Sequence, residues 1–279
     1  MDSEQILDAI DKQEWLESPA TAVQKTVLTS FEAAGEPGTK AKDFLHGRWL
    51  GHALHPAITD VPVGAWTVAA VLDALSAFAN KKELDKGADA AIGIGLLGAV
   101  GAAVTGLTDW SEAEERPRKV GFVHAAFNIT ATGFFLASWL MRRSGDADKR
   151  GTARGLSWTG YAFAMCGAWL GGELVSTEKI GVDNAPRENW PQDWMGVLPD
   201  SELPEGALEQ AMAGENAIVL TRRNGEIFAL AERCSHLGGP LSEGEFCDQD
   251  GELAVRCPWH GSCFALRDGK VLEGPATHP

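Results

Sequence analysis

The sequence predicts a multidomain chain: an all-α four-helix transmembrane bundle followed by an all-β domain. Three observations carry this. Residues 56–175 hold four long apolar stretches, roughly Pro56–Ala79, Ala88–Trp110, Val120–Met141 and Leu156–Val175. Each has about the ~20 residues that cross a hydrocarbon core as a helix. From residue 176 onward the chain turns acidic and glycine-punctuated. Within that part, Cys234-Ser235-His236 and Cys257-Pro258-Trp259-His260 each join one Cys to one His, with a long hairpin between them. A chain of 279 residues is also long enough for two domains.

Residues 1–45 read as short amphipathic helices. Ile6 and Ile10 share a helical face, as do Val23, Val27 and Phe31, and Glu36-Pro37-Gly38 interrupts them. The start is acidic and shows no basic segment followed by an apolar run, so no secretory signal is read there. These helices are expected on the membrane surface or on the C-terminal domain.

Residues 46–176 are expected to form the four-helix transmembrane domain. Small residues recur four apart (Gly98 and Ala102, Gly121 and Ala125, Gly167 and Gly171), which suits close helix packing in lipid. Trp66, Trp110, Trp139, Trp158 and Trp169 include several at span ends, where aromatic belts form. A soluble bundle would show a stripe of Lys and Glu. No Lys, Arg or Glu lies between Pro56 and Ala79 or between Ala90 and Trp110. A multi-pass protein in the lipid of a bacterial inner membrane is expected.

Four spans put the N-terminus, the loop 111–119 and the C-terminal domain on one side. Eight Lys or Arg flank the spans on each side, Arg187 among them, so the positive-inside rule does not set the orientation. The missing secretory and twin-arginine signals favour a cytoplasmic C-terminal domain. Residues 177–189 read as a linker and 190–279 as that domain. Residues 176–279 carry 18 Asp or Glu against 8 Lys or Arg, a balance of −10, which disfavours nucleic acid. It suits solubility or a basic redox partner protein.

Polar residues inside the spans are a second signal. His52, His55 and Asp60 open the first span, Asp109 ends the second, and His124 opens the third with Asn128 one turn on. Glu173 ends the fourth. The topology brings all of these to one depth, with Asp73 toward the other side. Ionisable groups in lipid are costly and usually face an interior site. His55 and His124 are the expected pair: haem ligands, quinone contacts, or ligands of a non-haem metal joined by Asp60, Asp109 and Glu173. The plain alternatives for the carboxylates are capping and interfacial solvation.

The C-terminal loops offer two thiolates and two imidazoles. This is the set of a 2Fe-2S centre in which Cys234 and Cys257 hold one iron and His236 and His260 the other. Zinc would accept the same ligands, but its sites usually run Cys-x2–4-Cys with His-x3–5-His. The glycine-rich segments Leu237–Leu241 and His260–Ser262 let backbone N–H groups approach bridging sulfides.

Residues 190–279 resemble the ferredoxin-type Rieske domain, through Cys-Ser-His-Leu-Gly-Gly-Pro-Leu and Cys-Pro-Trp-His-Gly-Ser. The resemblance implies the cluster, the four ligands above and one-electron transfer. The spacer between the loops is longer than in most ferredoxin-type members. The family continues past Gly274-Pro275-Ala276 with another strand pair, so the sheet is expected to be short of its last strands. Members from cytochrome bc complexes carry an extra Cys in each loop, joined as a disulfide. Gly239 and Trp259 stand there instead, which leaves Cys166, Cys247 and Cys263 outside the cluster. Ser262 stands where high-potential members bond a sulfide, and Phe264 where they have Tyr, so an intermediate potential is expected.

The segments Gly51–Pro56, Asp60–Trp66 and Thr105–Trp110, with His124-x3-Asn128, resemble an uncharacterised bacterial membrane domain of four predicted helices. Many of its members place a His after Gly-Gly at the end of the fourth span, whereas this chain has Gly171-Gly172-Glu173.

The reading is a membrane-anchored Rieske iron-sulfur protein, an oxidoreductase or electron-transfer component. It would pass electrons to or from a haem, metal or quinone at the membrane domain. The competing readings are a tethered ferredoxin component of a separate oxygenase or reductase, and a redox sensor. Nothing resembles an oxygenase catalytic domain with its mononuclear iron.

Overall fold

The apolar stretches fold as long helices, and the glycine-punctuated part folds as short strands. The computed structural model describes residues 3–79, 81–185, 190–249 and 251–279. Arg187 and the last four residues of the expected linker, 186–189, lie outside the described residues. The chain divides into two units. One joins the residues up to Ala33 with Leu54–Ile180, and the other joins Ala34–Ala53 with Gly181–Pro279.

Seven α-helices are described: α1 (Ser3–Asp11), α2 (Glu17–Ala33), α3 (Glu36–His46), α4 (Leu54–Phe78), α5 (Asp85–Trp110), α6 (Glu115–Arg143) and α7 (Arg150–Ser176). The expected count of four spans is matched in part. Three described helices are long and apolar enough to cross a membrane: α4, α5 extended back to Lys82, and α6, with mean hydropathies of 1.6, 2.0 and 1.5. At 27 residues α7 is as long, but Trp158, Tyr161, Trp169, Glu173 and its glycines dilute its apolar character.

The helices α4 to α7 pack as antiparallel neighbours through small residues. Trp66 of α4 lies over Gly95 of α5, and Val61 over Gly98. Gly160 of α7 faces Phe135 of α6. Trp66 stacks on Phe135 with centroids 4.1 Å apart and planes at 12°, which joins the two pairs. Apolar side chains point outward instead: Phe78 is 91% and Leu97 78% exposed, while Asp73 and Ser138 are buried. This inverts the pattern of a soluble bundle and is what lipid-facing helices require.

Two N-terminal helices dock on this unit. α1 buries Leu7 against Val120, Leu170 and Leu174. Gln24 of α2 donates to the carbonyls of Trp110 and Ala113, at 2.9 and 2.8 Å, tying α2 to the end of α5 and the turn that follows it. α3 behaves differently, so the expected boundary after residue 45 moves. The break falls at Gly35, Pro37 sits in the first turn of α3, and Ala34–Ala53 group with the C-terminal unit. The Asp43 carboxylate accepts the Gly274 N–H at 3.1 Å and pairs with Arg48 at 2.9 Å. Arg48 in turn donates to the Leu272 carbonyl. These partners are far apart in sequence, so no local pattern announces them.

The second unit holds two antiparallel sheets. One is β1 (Leu208–Ala213), β2 (Asn216–Arg223) and β3 (Glu226–Ala231), in that order. The other is β4 (Glu245–Gln249), β5 (Glu252–Arg256), β6 (Cys263–Ala265) and β7 (Val271–Glu273), also in order. The β2–β3 turn is Asn224-Gly225 with φ of 54° and 79°, the two-residue turn whose twist suits a hairpin. Val219, Leu241, Val255, Phe264, Leu266 and Val271 form one core, and Cys234 and Cys257 belong to it.

Candidate functional site

Two loops of similar construction carry the Cys-His pairs. The first joins β3 to β4. It is closed by Cys234 N–H to Gly239 O (2.9 Å), Gly238 N–H to Cys234 O (2.7 Å) and Leu241 N–H to Glu232 O (2.9 Å). Gly238 has φ of 75°, which a side chain would strain. Buried Glu232 accepts the Ser242 hydroxyl at 2.6 Å and its N–H at 3.2 Å. The second loop joins β5 to β6. Cys257 N–H bonds Ser262 O at 2.8 Å, Gly261 N–H bonds Cys257 O at 3.1 Å, and Arg256 donates to Gly261 O at 3.1 Å. The loops meet at Gly239, where a Cβ would lie 2.8 Å from the Cys257 sulfur.

Both thiols are buried and act on one another. The N–H groups of His236 and Leu237 face the Cys234 sulfur, and those of Trp259 and His260 face Cys257. Cys257 is pushed down to about 6 by the Cys234 thiol and then, against burial, by those N–H groups. The Cys257 thiol and burial raise Cys234. Negative charge on the sulfur pair is therefore stabilised first at Cys257.

The two imidazoles meet edge to face with centroids 4.9 Å apart. Burial, followed by the charges of His260, His46 and Lys42, pushes His236 down to about 3. Its ring is thus neutral at physiological pH, the form that binds metal. Its Nδ1 is buried and makes no hydrogen bond among the described residues. Among the described residues, no three His, Cys, Asp or Glu gather as a single ion would need. A thiol pair and a separate imidazole pair fit a binuclear cluster, whereas tetrahedral zinc needs its ligands about one point.

Supports of these loops come from sequence-distant residues that motif reading misses. Asn184 donates its N–H to Ser235 O at 2.8 Å and its Nδ2 to His236 O at 2.5 Å. The tail after β7 reaches both loops: Ala276 N–H bonds Ser262 Oγ at 3.1 Å, and Ser235 Oγ donates to His278 O at 2.6 Å. Lys42 and His46 of α3 act on His236 through their charge. The only local hint is that Asn and Ser are residues whose side chains bond backbone.

In the helical unit, His55 and His124 do come together, with centroids 6.3 Å apart and rings near perpendicular. His124 Nδ1 lies 2.8 Å from Gly167 O, and Thr105 Oγ1 lies 3.4 Å from His55 Nδ1. Glycine makes this room. A Cβ at Gly106 would lie 2.7 Å from His55, one at Gly167 2.7 Å from Asn128, and one at Gly171 3.0 Å from His124. The expected carboxylates do not complete a cluster. Asp60 is exposed, because five residues from His55 turn it ~140° around α4. Glu173 accepts the Thr177 hydroxyl at 2.7 Å. No three of these ligand types gather among the described residues.

The two sheets and their facing loops define an iron-sulfur electron-transfer domain, carried on a chain with membrane-type helices. Residues 193–279 match the Rieske [2Fe-2S] domain, and residues 51–184 match a predicted membrane protein family (DUF2231). The 3-phenylpropionate/cinnamic acid dioxygenase ferredoxin subunit of Photorhabdus laumondii is 41% identical over 83 residues, 30% of this chain and 75% of that protein. The ferredoxin subunit of the same name from Escherichia coli K12 is 37% identical over 85 residues, 30% of this chain and 74% of that protein. Human apoptosis-inducing factor 3 is 34% identical over 87 residues, but the chain spans only 14% of its length. The chain belongs to the Rieske [2Fe-2S] family.

Proposed function

We propose that Cys234 and Cys257 hold one iron, and His236 and His260 the other, of a 2Fe-2S cluster serving a membrane-anchored ferredoxin-type carrier. The bound cluster supplies one-electron redox chemistry. The chain's own residues orient and insulate it. Backbone N–H groups at 236, 237, 259 and 260 offset negative charge on the sulfurs. Phe264 and Leu241 keep water from them, and Asn184 fixes the backbone of His236. The observation that carries the reading is that two loops which meet at Gly239 bring a buried cysteine each and a pair of touching imidazoles, with His236 Nδ1 buried and unbonded among the described residues. The ferredoxin-subunit relatives support delivery to a separate oxidoreductase over a self-contained oxygenase. Iron, sulfide and zinc analysis of the detergent-purified protein tests this. Iron with equal sulfide and a Rieske EPR spectrum is expected, and stoichiometric zinc without sulfide overturns it.

Phe264 supplies a graded test. It packs in the core beside both cysteines and has no hydroxyl to offer them. A hydrogen bond to a charged acceptor is worth about 1.5–3 kcal/mol, so Phe264→Tyr is expected to raise the potential by at most about 130 mV. An EPR-monitored redox titration reads this. An unchanged value would mean that the ring edge does not face a ligand sulfur.

A second reading is favoured by the His55–His124 pair with its three glycines. In it the helical unit holds a redox group, a haem or quinone, at that pair. His124→Ala is expected to insert normally and keep the Rieske spectrum while losing a Soret band or quinone-coupled reduction. If both persist unchanged, the helical unit is an anchor.

A further inference from the structure

Cys247 and Cys263 are left over by the cluster loops, yet they meet. In register, Cys247 of β4 stands opposite Ala254 of β5, and Cys263 of β6 stands opposite Arg256. Opposed residues, and alternate residues along a strand, share one face of a sheet. These four therefore lie together, opposite the face of Phe246, Val255 and Phe264 that joins the core. Ala254 carries only a methyl, so the two sulfurs meet above β5, 2.7 Å apart. Both are free thiols. A disulfide needs about 2.05 Å, so the sulfurs must close by about 0.7 Å.

We propose that Cys247 and Cys263 form a second, two-electron redox site. In it a low-molecular-weight disulfide oxidises the pair to an intramolecular disulfide across β5. Cys247 is half-buried and Cys263 fully buried, so a reagent meets Cys247 first. The hydrogen bond from Cys263, and then Arg256 against the effect of burial, hold Cys247 below the ordinary thiol value. The same bond raises Cys263. Thiolate character sits on the reachable sulfur.

The chemistry balances without a further reactant. The Cys247 thiolate attacks one sulfur of R–S–S–R, that bond breaks, and RS⁻ leaves. Cys263 then gives its proton to the departed thiolate and attacks the Cys247 sulfur, displacing the second RS⁻, which takes up a proton from water. Two electrons pass from the pair to the reagent, and two RSH are released. The product would tie β4, which leaves the first ligand loop, to β6, which leaves the second.

The test uses the full chain in detergent with its cluster, and glutathione disulfide as the probe. Peptide mapping without reductant is expected to give a linked pair containing Cys247 and Cys263, lighter by two hydrogens and reversed by dithiothreitol. The visible spectrum of the cluster should be unchanged. In Cys247→Ser, Cys263 is expected to stay unmodified. A stable glutathione adduct on Cys247, no modification at all, or links through Cys166, Cys234 or Cys257 would overturn the proposal, and the unsubstituted protein alone decides it.

Discussion

His236→Cys is expected to abolish the Rieske EPR signature and lower the potential by hundreds of millivolts. A neutral imidazole on the outer iron is what separates Rieske centres, at about −150 to +300 mV, from all-thiolate plant-type clusters near −400 mV. A third thiolate in place of a neutral imidazole favours the oxidised state and lessens the asymmetry between the irons, with His260 still on the outer one. The site around His236 gives the substitution a clear meaning. The ring is neutral, its Nδ1 is buried without a hydrogen bond, and its backbone is fixed by Asn184 rather than by the ring itself. Changing the side chain therefore changes the ligand while leaving the loop's supports in place. EPR and a redox titration of the purified variant read the result. An intact Rieske signal at an unshifted potential would remove His236 from the ligand set.

The ligand loops were legible because their chemistry is local. Cys234, His236, Cys257 and His260 lie in two runs, and Gly238, Gly239 and Gly261 are demanded by turns and close approach within those runs. What could not be read is what crosses long stretches of chain. α3 looked like one more amphipathic helix before the membrane. Its place in the second unit depends on Asp43 meeting Gly274 and Arg48 meeting Leu272. The fourth expected span, α7, has the length of a span, but its Trp, Tyr, Gly and Glu residues lower its hydropathy. Spacing along the chain points to the membrane histidines, whereas helical phase carries Asp60 away from them at the same depth. Arg142, Arg150 and Arg154 stand at the span ends, where the sequence offers them as flanking charges. They are ion-paired within the bundle, and Arg142 is buried.

That last group sets the second large effect. Asp73→Ala is expected to destabilise the helical unit by about 3 kcal/mol, at the lower end of the range for breaking a buried pair. Asp73 and Arg142 have fully buried side chains. The guanidinium meets the carboxylate through both terminal nitrogens, at 2.9 and 2.5 Å, and also donates to Ser138 at 3.0 Å and Ser157 at 2.8 Å. Asp73 belongs to α4, Asp89 to α5, Arg142 and Ser138 to α6, and Ser157 to α7, so one charged group joins four helices. Removing Asp73 leaves the cation buried with Asp89 as its remaining carboxylate, at 3.1 Å, which holds the loss to the lower end. Salt should change the effect little, because a buried pair is poorly screened. The double variant Asp73→Leu/Arg142→Met removes both charges and is expected to recover more than half of the loss, since most of the penalty is the stranded cation rather than the missing bond. Helical circular dichroism during denaturing-detergent titration reads both variants. A single variant within about 0.5 kcal/mol of the unsubstituted protein, the range of ordinary surface changes, would mean that the guanidinium reaches water and that the network does not hold this end of the bundle together.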